Sequence, residues 1–175
     1  MHIGGELMKR KGIRLYNVFF PVWLLFAHPL LIAAALPINL VVDFLVVFLA
    51  FKAMKVENAA EILPKKIFRT WGLGFAADAI GAAVLFFLSI ILAEIAPKTY
   101  DLFGHALFLN PFSSPLALIM MILVVALVGV LIYFFNASYV FHDAPLTPRE
   151  KHRVCLSLAI ATAPYLFFLP TAWFV

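Results

Sequence analysis

Long apolar stretches separated by short polar segments dominate the pattern along this 175-residue chain. A helix that crosses the hydrocarbon core of a bilayer needs about 20 mainly apolar residues. The first apolar stretch, residues 13–54, is about twice that length, and Pro37 near its middle is expected to break a helix. The pattern therefore predicts five spans, at about residues 13–36, 38–54, 71–96, 115–141 and 154–175.

Composition excludes the soluble alternatives. Hydrophobic residues make up 65% of the chain and charged residues 13%, with a mean hydropathy of +1.05. A soluble domain has about half apolar and about a quarter charged residues, and a chain of this size cannot bury so much apolar surface in one core. We therefore expect an all-α integral membrane protein, in which a basic N-terminal tail (1–12) precedes a single transmembrane bundle (13–175).

The basic residues give an orientation. Lys and Arg near the ends of spans concentrate on the cytoplasmic side. With five spans and a cytoplasmic N-terminus, 12 of the 13 basic residues lie on that side, and only Lys98 lies on the other. This predicts a cytoplasmic N-terminus and an extracytoplasmic C-terminus in a bacterial cytoplasmic membrane. A re-entrant first hairpin with an even number of spans is the alternative.

The same charge distribution bears on partners. Basic residues along one membrane edge are explained by topology and by contact with anionic lipid headgroups, so we expect the lipid bilayer as a partner and no nucleic acid. Residues 56–70, with acidic Glu57 and Glu61, a break at Pro64 and basic residues after it, suit a short interfacial helix between spans two and three. A solvated connector with extended lysines is the alternative.

Polar residues inside the predicted spans carry the functional information. Ionisable groups within hydrocarbon cost several kcal/mol and usually face a bundle interior or a water path. The candidates for an ion or proton pathway are Asp43, Asp78, His28, Asn39, Tyr133 and Asn136. We count 1.5 Å per residue from the predicted span ends. This puts Asp43, His28 and Asn39 in an outer layer, and Asp78, Tyr133 and Asn136 in an inner layer. The two carboxyl groups would then lie roughly 10 Å apart along the membrane normal.

Small residues at helical spacing predict where helices approach closely. The third span carries Gly74, Ala77 and Gly81 near one face, and the fourth carries Gly129. Small side chains allow a second backbone to come near, which also shields a polar neighbour from lipid. We expect these four positions to be helix-packing sites.

The motifs of common enzyme and cofactor sites are missing from the sequence. It contains no Gly-rich phosphate loop, no H-E-x-x-H, no G-x-S-x-G and no cysteine pair, since Cys155 is the single cysteine. We therefore expect no catalytic residue, metal or cofactor. Residues 39–43 and 75–78 faintly resemble the two Asp motifs of lipoprotein signal peptidases, but the Arg that follows the first Asp in that family is absent and the Asn-to-Asp spacing differs. The chain is not assigned to that family.

Three functions follow from these features. The first is a small oligomeric channel, or an ion- or proton-coupled transporter, that uses intramembrane carboxylates. The second is a non-catalytic membrane subunit or assembly factor, in which polar groups hold helices together. The third, with least support, is an intramembrane aspartyl hydrolase that uses Asp43 and Asp78. For the first two we expect a homo-oligomer or a partner subunit in the membrane.

Overall fold

The computed structural model describes residues 29–170, with side chains from Leu36 onward. Most of the first predicted span, including His28, lies outside the described residues. Within them the chain is helical and contains no strand. Five α-helices are described: α1 (Pro29–Met54), α2 (Ala59–Ile95), α3 (Pro97–Leu109), α4 (Pro115–Phe135) and α5 (Pro148–Ala161). A π-helical turn, Asn136–Val140, continues α4, and 3₁₀ turns occupy Pro111–Ser113 and Tyr165–Phe168.

Three of the described helices are long and apolar enough to cross a membrane: Leu36–Met54, Ala59–Ile95 and Pro115–Val140. This result is compatible with an integral membrane protein. In contrast, α5 has 14 residues, and at 1.5 Å per residue it is about 21 Å long, which is short for a hydrocarbon core of about 30 Å. The fifth predicted span, 154–175, is therefore not one continuous helix over its described part.

Two helix breaks expected at proline do not occur. α1 runs through Pro37, and α2 runs through Pro64, so the separate interfacial helix is absent and residues 59–70 form the start of α2. A proline removes one backbone hydrogen bond, which a neighbouring helix in a membrane bundle can replace. Next to Pro37, the Trp71 indole donates to the Leu36 carbonyl at 3.0 Å. Pro64 lies only five residues into α2, near amides that have no intrahelical partner in any case.

Four helices close into a ring around the main core. α1 packs against α2 and α5, and α4 packs against the same two helices. α3 packs against α2 and α4 and buries Phe103, Leu107 and Phe108 in a second, smaller core. Lys66 near the start of α2 pairs with Asp143 in the loop after α4, and its hydrogen bond lowers the pKa of the Asp143 carboxyl.

Apolar side chains cover the outside of this ring. On α1, Ile38, Leu45 and Leu49 are 58%, 47% and 58% exposed, whereas Asp43 is 7% exposed. A water-soluble helix shows the opposite arrangement, with its charged residues outward. The surface of α1 therefore suits contact with lipid chains or other apolar helices.

The basic end of the bundle is where α1 ends and where α2 and α5 begin. All basic residues of the described part except Lys98 lie at or near it: Lys52, Lys55, Lys65, Lys66, Arg69, Arg149, Lys151 and Arg153. We expect a reporter fused near Arg149 to read cytoplasmic and a reporter fused after Val175 to read extracytoplasmic. Paired phosphatase and fluorescent-protein fusions measure this. Both reporters on the same side would favour the even-span alternative.

Candidate functional site

α1 presents one acidic residue to the interior of the ring. Asp43, Val47 and Phe51 are spaced four residues apart, so they lie on one face of the helix, and all three are buried. Phe51 packs edge-on against Phe141 beyond α4. The apolar part of this face fixes the rotation of α1, and the same rotation turns Asp43 away from lipid.

Asp43 lies against the part of α2 that carries the second acidic residue. A Cβ atom on Gly74 would be 3.8 Å from Asp43 Oδ2, and Asp78 follows Gly74 by one helical turn. Residues four apart lie on the same face of a helix, about 6 Å apart along its axis, so Asp78 lies on the face of α2 that contacts Asp43. The structure thus brings together two groups that the sequence placed in separate layers. The predicted depth of Asp43 depends on a span that starts at residue 38, whereas α1 begins at Pro29.

The close approach of α2 to α4 lies one turn beyond Asp78. Ala77 is fully buried, and a Cβ atom on Gly81 would overlap Val128 Cγ2. On the other side of α4, a Cβ on Gly129 would be 3.3 Å from the Ala159 carbonyl oxygen of α5. Glycine therefore allows tight packing of α4 against both of its neighbours in the ring.

Asn136 adds a buried amide to the interior. Its side chain is fully buried, and its Nδ2 donates to the Ile132 carbonyl at 2.8 Å. Its Oδ1 has no hydrogen-bond partner among the described residues, and neither does the buried Oδ1 of Asp78. Because the Nδ2 atom must face the Ile132 carbonyl, the oxygen is the free end of the amide.

The packing of α2 against α4 relates Asp78 to Asn136. The two helices run in opposite directions, and Gly81 meets Val128. Helical side chains tilt toward the N-terminus of their own helix, so Asp78 leans toward the basic end and Asn136 leans away from it. Their backbone positions differ by about 7–8 Å in depth, and the opposite tilts of the two side chains reduce this difference. Asn136 also begins the π-helical turn, a distortion that is frequent at functional sites.

Neither Asp43, which is buried, nor Asp78, which is half-buried, has a basic partner in the described part of the chain. The ion pairs there are Lys66–Asp143 and His142–Asp143, both at the surface. An unpaired charge in an apolar interior costs several kcal/mol, and two adjacent negative charges cost more. Within the described part of the chain, no charged group therefore compensates a negative charge on Asp43 or Asp78.

The other predicted pathway residues lie elsewhere. Asn39 is half-buried one turn before Asp43, and His28 is outside the described residues. The Tyr133 hydroxyl is 2.9 Å from Nδ1 of His152, which lies on α5. Sequence reasoning missed His152 because it placed the last span from residue 154 onward, whereas α5 begins at Pro148. The Thr147–Glu150 capping box at that point is a signal in the sequence that could have revealed this start.

A site built from three or more metal-binding side chains is not present within residues 29–170: no group of His, Cys, Asp and Glu there could hold a metal ion in that way. Cys155 is buried. The candidate site is therefore the interior group of Asp43, Asp78 and Asn136, which offers carboxylate and amide oxygens in an apolar surrounding. Comparison with protein-family models, curated proteins and solved structures finds no significant match to this chain.

Proposed function

We propose that this chain is a small ion- or proton-coupled membrane transporter, acting as an oligomer, in which Asp43 and Asp78 bind the coupling ion or proton. One observation carries the proposal: Asp43 is buried against the face of α2 that carries Asp78, and neither acid has a basic partner in the described part of the chain. Such a pair must exchange protons or a cation to change its charge. Ionisable groups placed in this way commonly mark transport pathways.

The surroundings of the pair favour a transporter over an open channel. Ala77, Val128 and Ile132 are 0–1% exposed and pack next to the polar group. An open pore would leave side chains at this depth in contact with water. A site enclosed in this way must be opened by a movement of helices, which is how coupled transporters expose a midplane site to alternate sides.

The Asn136 oxygen supports the binding of a cation as well as of a proton. Carboxylate and amide oxygens are the ligands that hard cations prefer. Asp78 Oδ1 and Asn136 Oδ1 are both buried acceptors without a partner in the described structure. A proton on Asp78 or a small cation would satisfy acceptors that residues 36–170 leave unsatisfied.

Flux through the purified protein in lipid vesicles tests the proposal. Vesicles with an imposed pH or sodium gradient, an internal pH or sodium dye and the parent protein should show flux that protein-free vesicles lack. Asp43→Asn and Asp78→Asn should fold, because the amide keeps the shape of the carboxyl, and each should lower the flux at least about tenfold, since the amide cannot take up or release a proton.

Asp101→Asn is the matched control. Asp101 is an exposed acid on α3, outside the ring of four helices, so this variant should keep the flux of the parent. Absence of flux from the parent, or unchanged flux in both interior variants, would favour the scaffold or subunit function instead.

The closeness of the two acids also favours a second candidate, an intramembrane aspartyl hydrolase. Two adjacent carboxyl groups that share one proton can activate a water molecule. A hydrolase would generate new peptide termini in membranes that contain the parent protein. Those termini would be absent with Asp43→Asn and with Asp78→Asn, and purified parent protein would conduct no ions. Mass spectrometry of membrane peptides distinguishes this outcome from transport.

A further inference from the structure

A separate apolar groove runs along the outside of the bundle between α4 and α5. Its volume is about 620 Å³, and it is open to the outside of the bundle. α4 contributes Ile122, Ala126 and Val130 to its wall, and α5 contributes Leu156 and Ile160. The groove lies on the far side of α4 from the Gly81–Val128 contact, so it is distinct from the interior group of Asp43, Asp78 and Asn136.

The shape of the groove suits an extended hydrocarbon chain. Its α4 wall reaches from Ile122 to Phe134, which corresponds to about 18 Å at 1.5 Å per residue. One leaflet of a bilayer contributes about 15 Å of hydrocarbon, half of a core of about 30 Å. The groove is therefore about as long as one acyl chain in one leaflet.

The two tyrosines of the groove use their hydroxyl groups within the protein. At the basic end, the Tyr133 hydroxyl is hydrogen-bonded to His152, and at the other end the Tyr165 hydroxyl donates to the Ile160 carbonyl at 2.6 Å. Both rings line the groove. The space between them therefore offers an occupant apolar contacts and few polar ones.

Among the described residues, basic side chains of α5 cluster at one end of this groove. Arg149, His152 and Arg153 are exposed in the first two turns of α5. With 3.6 residues per turn, they share the side of the helix that carries Leu156 and Ile160 further along. Glu150 projects about 100° around α5 from Arg149, and its carboxyl is held by the backbone amide and hydroxyl of Thr147. An apolar slot with a cationic rim matches a molecule with an alkyl chain and an anionic head.

We propose that this groove binds one anionic phospholipid, with an acyl chain between α4 and α5 and the phosphate at Arg149, His152 and Arg153. The charge at the basic end identifies the occupant. A second copy of this chain would need an apolar partner along the whole groove, with acidic groups at the rim. The N-terminal residues 1–28 carry basic and apolar side chains but only one acidic residue, Glu6, so they do not complement a cationic rim.

Native mass spectrometry of the full-length protein tests the proposal with two lipids of identical chains. Phosphatidylglycerol is anionic and phosphatidylcholine is neutral overall. The parent protein should retain phosphatidylglycerol more strongly. The double variant Arg149→Gln/Arg153→Gln should weaken phosphatidylglycerol binding by about thirtyfold and leave phosphatidylcholine binding unchanged, given the usual contribution of a cation near an anionic lipid. Equal retention of both lipids by the parent would overturn the assignment of the headgroup.

A second pair of variants tests the groove itself. Ala126→Phe places a ring in the groove from an exposed position and should lower the binding of both lipids. Leu127→Phe is its control, because Leu127 is the next residue on α4, is 40% exposed and does not line the groove. Unchanged binding in Ala126→Phe would overturn the site. A photoreactive residue at Ala126 should capture lipid, and capture of another copy of the chain or of residues 1–28 would identify a different occupant and overturn the proposal.

Discussion

Gly81→Leu should lower the melting temperature of the protein in detergent by about 6–12 °C, or prevent assembly. A Cβ atom at this position already overlaps Val128 Cγ2, and Val128 is fully buried in the main core, so it has no free space to enter. Overpacking of a dense core costs about 3 kcal/mol at the upper end of its usual range. For a chain of this size each kcal/mol corresponds to about 2–4 °C.

Gly72→Leu is the control that separates the effect of packing against α4 from the effect of the substitution on the helix itself. Gly72 lies on the same helix, and a Cβ there meets nothing within 4 Å. Both substitutions bring the same gain of about 1 kcal/mol in helix propensity, so their difference reports the contact between α2 and α4. The melting temperature of Gly81→Ala should lie between those of Gly81→Leu and Gly72→Leu. If Gly81→Leu does not fold, Gly81→Ala takes its place in the comparison. Equal melting of Gly81→Leu and Gly72→Leu would show that Gly81 does not face α4.

The helical fold of the described residues, with helices long and apolar enough to cross a membrane, could be predicted from the long apolar stretches of the sequence. Helix limits were predictable where a proline coincides with the edge of an apolar stretch, as at Pro97 and Pro115, which begin α3 and α4. Pro37 and Pro64 misled the prediction because they lie inside helices. At Pro37 a neighbouring helix supplies a donor beside the break, and Pro64 lies near the start of α2, where amides lack intrahelical partners in any case.

The membership of the candidate site could be predicted, but its arrangement could not. Asp43, Asp78 and Asn136 stand out because polar residues are costly in hydrocarbon. Their depths, however, were counted from assumed span ends, so the nine residues of α1 before residue 38 shifted Asp43 out of position. The Tyr133–His152 contact joins two helices across 19 residues. Hydrophobic periodicity within one helix contains no information about such a contact.

Asp78→Leu should raise the melting temperature of the protein while it abolishes flux. Asp78 Oδ1 is buried without a hydrogen-bond partner in the described structure, and a group of this kind costs about 1–3 kcal/mol. Leucine removes that cost, which corresponds to a gain of about 2–12 °C. Asp78→Val offers a smaller apolar replacement if leucine is too large beside Asp43.

Thr70→Val is the matched comparison. Thr70 is also buried on α2, but its hydroxyl donates to the Lys66 carbonyl at 3.2 Å, so valine removes a hydrogen bond that is already made. Its loss should lower stability by up to about 1 kcal/mol. A rise in stability for Asp78→Leu together with a fall for Thr70→Val would mean that the protein retains Asp78 at a cost in stability. This is the pattern of a residue kept for function. Lower stability in both Asp78→Leu and Asp78→Val would instead show that Asp78 holds the helices together. If the flux is also unchanged in these variants, the scaffold function is the better account.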